Sequence, residues 1–119
     1  DESLNTSGAN SGDLDPAKGM FWSWQSGYIN FKIEGVSPSC KTRKNKFQFH
    51  IGGYQKPYET IQAVVFKLDI LKNSRLKINL DVSQFFKSIK LSSKNQIMIP
   101  GEEASNTADR LPQLFSIHE

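Results

Sequence analysis

Four segments of this chain alternate apolar and polar side chains with a period of two, and an extended strand turns that period into one apolar face. Ile29, Phe31 and Ile33 alternate with Tyr28, Asn30, Lys32 and Glu34, up to Gly35. Phe47, Phe49 and Ile51 alternate with Gln48 and His50, and Gly52-Gly53 closes the run. Val64, Phe66, Leu68 and Ile70 alternate with outward Lys67 and Asp69; after an Asn73-Ser74 turn, Leu76, Ile78 and Leu80 follow. The pattern predicts four half-buried strands, and Ile97–Ile99 before Pro100 a short fifth.

Two stretches switch to helical spacing. Asp81 is a good N-cap with Gln84 three residues on, ahead of Val82, Phe85, Phe86 and Ile89. Ala104, Ala108 and Leu111 share a second helical face, which Pro112 limits. The fold class expected is mainly β: an antiparallel β-sheet or sandwich with two short helices. Residues 1–19 carry no apolar period and are rich in Asn, Ser and Gly, so they read as a polar loop; residues 20–119 read as a single β-rich domain. The chain opens Asp1-Glu2-Ser3 without an initiator Met or a signal peptide. This reads as a processed or excised product whose amino-terminal portion is missing.

Composition narrows the function. A chain of 119 residues with 37% hydrophobic and 23% charged residues supports one modest core and argues against disorder. No run of about 18 apolar residues is present, so no membrane span is expected. A net charge of +3 is not the dense basic footprint of a nucleic-acid binder. Lys41, Arg43, Lys44 and Lys46 lack interleaved aromatics and read as a solvated connection. The single Cys40 excludes an internal disulfide and a Cys-only zinc site. No phosphate-cradling loop, HExxH helix or nucleophile elbow occurs, and no spacing ties Cys40 to a histidine, so the chain reads as a non-enzyme.

The remaining candidates are few. Asp13 and Asp15 supply half a calcium loop, or an Asx turn before Pro16, and calcium wants about six to eight oxygens. His50 sits on the polar face of its strand, as a hydrogen-bonded histidine or as a metal ligand held more rigidly than on a loop. His118 offers a second imidazole if the terminus folds back. Trp22 and Trp24, two apart, project from one face of an extended chain, either into a core or as an aromatic platform for sugars.

The run Gly12-Asp13-Leu14-Asp15-Pro16-Ala17-Lys18-Gly19-Met20-Phe21-Trp22-Ser23-Trp24-Gln25-Ser26-Gly27-Tyr28 resembles the signature of the MbnP-like family of methanobactin-associated copper-binding proteins. Phe47-Gln48-Phe49-His50-Ile51-Gly52-Gly53 is similar to that family's F-x-x-H-[LI]-G segment. Leu114-Phe115-Ser116-Ile117-His118 resembles its closing aromatic–histidine stretch. The likeness is to Bacteroidetes-type members, which carry a further β-rich half; residues 20–119 would then be the carboxyl-terminal part of a larger domain.

The resemblance implies one copper ion held by two histidines and a kynurenine, the product of tryptophan oxidation by a di-haem cytochrome c peroxidase-like partner. Carried over by motif, the metal ligands are His50 and His118. Some relatives place the modified tryptophan two residues before the first histidine, where this chain has Gln48, so Trp22 or Trp24 would be the third ligand. The implied setting is the cell envelope of a Gram-negative bacterium, as a periplasmic protein or outer-membrane lipoprotein that stores or delivers copper. The rival expectation is a surface β-domain that binds glycan or protein through its tryptophans.

Overall fold

The computed structural model describes residues 2–8, 10–69 and 75–118. In chain order the elements are α1 (Glu2–Ser7), β1 (Phe21–Ser23), β2 (Gly27–Val36), β3 (Lys46–Gly52), β4 (Lys77–Leu80), α2 (Val82–Phe86), β5 (Gln96–Ile97), α3 (Glu102–Ala108) and β6 (Phe115–His118). Short 3₁₀ turns at Gly12–Leu14, Pro16–Lys18, Arg43–Asn45 and Leu111–Leu114 join them. Two sheets result, one in the order β1-β2-β3-β5 and one made of β4 and β6. The pairings are antiparallel except β3 with β5, which is parallel. The fold is mainly β, as the alternation predicts.

The β2–β3 pair is the frame of the molecule, and its register assigns each side chain to a face. Ile33 opposes Phe49 and Gly35 opposes Phe47, while Lys32 opposes His50 and Glu34 opposes Gln48. Phe47, Phe49 and Ile51 therefore share one face and Gln48 and His50 the other. The two helices close over the aromatic face. Phe85 of α2 meets Phe49 edge-on, with ring centroids 5.3 Å apart, and Phe86 meets Phe47 in the same way at 5.3 Å. Ala104 and Ala108 of α3, with Leu111 and Leu114 after it, complete this core. Gly35 is required for close approach: a Cβ there would stand 2.5 Å from the ring of Phe47.

The α2 start follows its sequence signal. Asp81 accepts from the Ser83 N–H at 3.0 Å, which satisfies a donor that a helix start otherwise leaves open, and from the Gln84 side-chain amide at 3.2 Å. Helix α3 starts at Gly101 without a side-chain cap; Glu102 and Glu103 in its first turn complement the helix dipole, and Lys94 pairs with Glu103 at 2.7 Å.

Three expectations need correction. Residues 1–19 are not a plain loop. Helix α1 and two 3₁₀ turns are clipped to β2 through Tyr28, whose N–H donates to Asn5 at 3.3 Å and whose hydroxyl accepts from Asn10 at 2.9 Å and donates to the Leu14 carbonyl at 2.5 Å. Residues 61–69 form no strand despite their alternation, because no neighbouring strand pairs with them among the described residues; Ile70 and the Asn73-Ser74 turn lie outside the described residues. The short strand near Ile97 is Gln96–Ile97, so Met98 and Ile99 fall outside it. None of the described helices is long and apolar enough to cross a membrane.

Candidate metal centre

Strand β3 carries His50 away from the aromatic core, yet the residue is only 7% exposed. Its Nε2 lies 2.6 Å from Oε1 of Glu34. Glu34 stands one pair along on the adjacent strand, on the same face, and this diagonal separation is within reach of long side chains. The side-chain amide of Gln48 donates to the same Oε1 at 3.3 Å. These contacts hold the Glu34 carboxyl below its ordinary value, the hydrogen bond from His50 first and that from Gln48 second. An ionised Glu34 can only accept, so Nε2–H of His50 donates to it, and in the neutral imidazole the lone pair is then on Nδ1. Nδ1 has no hydrogen-bond partner among the described residues, and no fully buried side-chain nitrogen or oxygen among them lacks one. Nδ1 therefore keeps contact with solvent. A carboxylate orienting the far nitrogen of an imidazole is the usual outer support of a metal-binding histidine.

The other sequence candidates fall in different places. His118 ends β6 opposite Lys77, exposed on the second sheet rather than the one that carries His50. Trp22 lies on β1, half-buried, with its Cζ3 2.9 Å from the point where a Cβ on Gly52 would stand. Gly52 lies two residues after His50 on β3, so the indole packs beside the end of the strand that carries the histidine. Trp24 falls in the turn after β1 and is 63% exposed, so extended-chain alternation no longer relates it to Trp22. Its carbonyl accepts from the hydroxyl of Tyr54 at 3.1 Å.

Asp15 makes the Asx turn, accepting from the Ala17 N–H at 2.9 Å, and Asp13 pairs with Lys18 at 3.1 Å, so these carboxylates are engaged locally. Cys40 is fully buried. Among the described residues, no three His, Cys, Asp or Glu side chains converge in a way that would hold a metal ion. Among the described residues the donor set is one oriented imidazole with its supporting carboxylate. That arrangement fits the anchoring of a copper ion, and a complete coordination shell needs further donors. Glu34 escaped the sequence reading because its role depends on the β2–β3 register, and the only local signal was an acidic residue on the strand that pairs with the histidine's own.

Compared with models of protein families, residues 1–99 match the family described as MbnP. Neither the curated proteins nor the solved structures contain a match.

Proposed function

Because this chain belongs to the MbnP family, we propose that it is a non-enzymatic copper-binding protein of the bacterial cell envelope, with His50 as the anchoring ligand. The observation that carries this reading is the buried His50, held on a strand by an ionised Glu34, with Nδ1 open. Imidazole nitrogen suits copper, and a preset tautomer spares the ion the cost of reorienting its ligand. His118 is the second imidazole, brought in by movement of the chain end or supplied across a contact. Of the two tryptophans, Trp22 is the third donor after oxidation to kynurenine by a di-haem partner enzyme, since its ring packs against β3 at Gly52, two residues from His50. Kynurenine offers an aniline nitrogen that indole lacks, and a bound copper supplies the binding and transfer chemistry.

Metal content and intact mass, measured on protein from its native host without added metal, test this reading. Copper near one per chain, a mass matching one kynurenine that Trp22→Phe removes, and loss of copper in His50→Ala are expected. Copper retained by the His50→Ala, His118→Ala double variant overturns it. Oligosaccharide quenching of tryptophan fluorescence, with no response to copper, would replace it with glycan binding through Trp24.

A further inference from the structure

The parallel pairing of β3 with β5 brings beside His50 a residue that neither strand's sequence announces. Gln48 stands opposite Gln96 and Phe49 opposite Ile97, with the Gln48 N–H donating to the Asn95 carbonyl at 2.9 Å. One step further along the same register, Met98 is the neighbour of His50. The chain keeps to this course beyond the strand, because a Cβ on Gly53 would stand only 2.9 Å from Cβ of Pro100. Side chains alternate between the two faces of a sheet. Ile97 is buried in the aromatic core with Phe49, whereas Met98 is 38% exposed, so Met98 takes the face that carries His50. Adjacent strands lie about 4.8 Å apart, a gap that a long, flexible methionine side chain spans. Glu34 thus flanks the imidazole from β2, and Met98 flanks it from β5, the last strand of the sheet.

We propose that Met98 is a copper ligand: its Sδ and Nδ1 of His50 together take up Cu(I). The inference rests on the copper-binding reading of His50 and adds the oxidation state to it. A thioether is a soft donor that selects Cu(I), while imidazole nitrogen serves Cu(I) and Cu(II) alike. Charge points the same way. Both donors are neutral, and the ionised Glu34 behind the imidazole offsets one positive charge. Lys32 stands directly opposite His50 on β2 and on the same face, so it repels a divalent ion twice as strongly as a monovalent one. Sulfur and nitrogen are both in place before any tryptophan is oxidised. Capture of Cu(I) therefore does not wait for a kynurenine, which would complete the site afterwards.

The test compares soft and harder ions on the intact chain. The probes are Cu(I) without oxygen, Ag(I) as a redox-inert ion of the same charge and softness, and Cu(II). Met98→Leu keeps the size and apolar character of a part-exposed side chain, so the fold should be retained, and a thermal melt checks it. In competition with a chelator, the variant should bind Cu(I) and Ag(I) at least about tenfold more weakly, the lower end of what losing a supporting carboxylate costs. Its Cu(II) affinity should not change. His50→Ala should weaken binding of all three ions. One equivalent of Ag(I) should shift the Met98 methyl resonance, and X-ray absorption of the Cu(I) form should show a sulfur neighbour that Met98→Leu removes. Cu(I) that is lost in His50→Ala but held equally well by Met98→Leu overturns the proposal and leaves the copper-binding reading intact. A sulfur neighbour that persists in Met98→Leu belongs to Met20 or Cys40 and overturns it too. Equal weakening of Cu(I) and Cu(II) in Met98→Leu would make Met98 a packing support of His50 rather than a ligand. Failure of the unmodified chain to bind Cu(I), or binding that His50→Ala leaves unchanged, sinks the copper-binding reading at His50 and this inference with it.

Discussion

Glu34 and His50 meet across the β2–β3 pair at 2.6 Å, with the carboxylate partly open to solvent and the imidazole almost enclosed. The pairing gives an otherwise ordinary strand histidine a defined tautomer and a defined direction. Glu34→Gln keeps the shape and removes the charge, so the proton on Nε2 is no longer enforced. On the copper-binding reading the variant should bind copper about 10–100-fold more weakly, the usual cost of losing a supporting carboxylate. Competition titration against a chelator of known affinity measures it, and unchanged affinity would separate Glu34 from the metal.

The same carboxylate makes stability depend on acid. Hydrogen bonds from His50 and Gln48 lower Glu34, and those from Ser83 and Gln84 lower Asp81. A folded value below the unfolded one gives a contribution that is complete above the unfolded value. It declines as pH falls, because the unfolded chain takes up protons first, and it is gone below the folded value. The melting temperature should therefore fall on entering the carboxylate range. In the Glu34→Gln, Asp81→Asn double variant that fall should be shallower. Thermal melts at stepped pH distinguish the two slopes.

Alternation made β2 and β3 legible because both strands bury one face, and Asp81 with Gln84 marked the start of α2 because capping is a local interaction. Residues 61–69 show why alternation is not sufficient: a strand also needs a neighbour to accept its backbone bonds, and the period does not name one. Helix α1 was invisible for the opposite reason. It is held by Asn5, Asn10 and Tyr28 through polar bonds that leave no hydropathic period. His50 was correctly placed on the non-aromatic face, but its burial and its carboxylate partner follow from register, which one strand's sequence does not contain.

Gly52 is the position on which Trp22 and β2 both depend. A Cβ there would meet the Tyr28 carbonyl oxygen, the Ile29 Cα at 2.9 Å and the Trp22 Cζ3 at 2.9 Å. Two of these are backbone atoms of the paired strand and cannot move away independently. Gly52→Ala should cost about 1–3 kcal/mol, the typical penalty of overpacking. In a Trp24→Phe background, the remaining Trp22 emission should also shift to the red as the ring is displaced toward water. Denaturant melts and emission spectra of the same samples check both effects.

Cys40 supplies a direct probe of opening. Its side chain is fully buried, and its carbonyl accepts from Asn45 at 2.7 Å, which ties the Ser37–Asn45 connection across its own loop. A reagent that attacks thiolates reaches it only when this segment opens or the chain unfolds. Labelling by a maleimide should therefore be slow in native buffer and fast in denaturant. Asn45→Gly removes the tie and keeps the left-handed backbone that residue 45 adopts, so labelling should accelerate while the melting temperature changes little. Equal acceleration of labelling and global unfolding would mean that the connection opens only with the whole sheet.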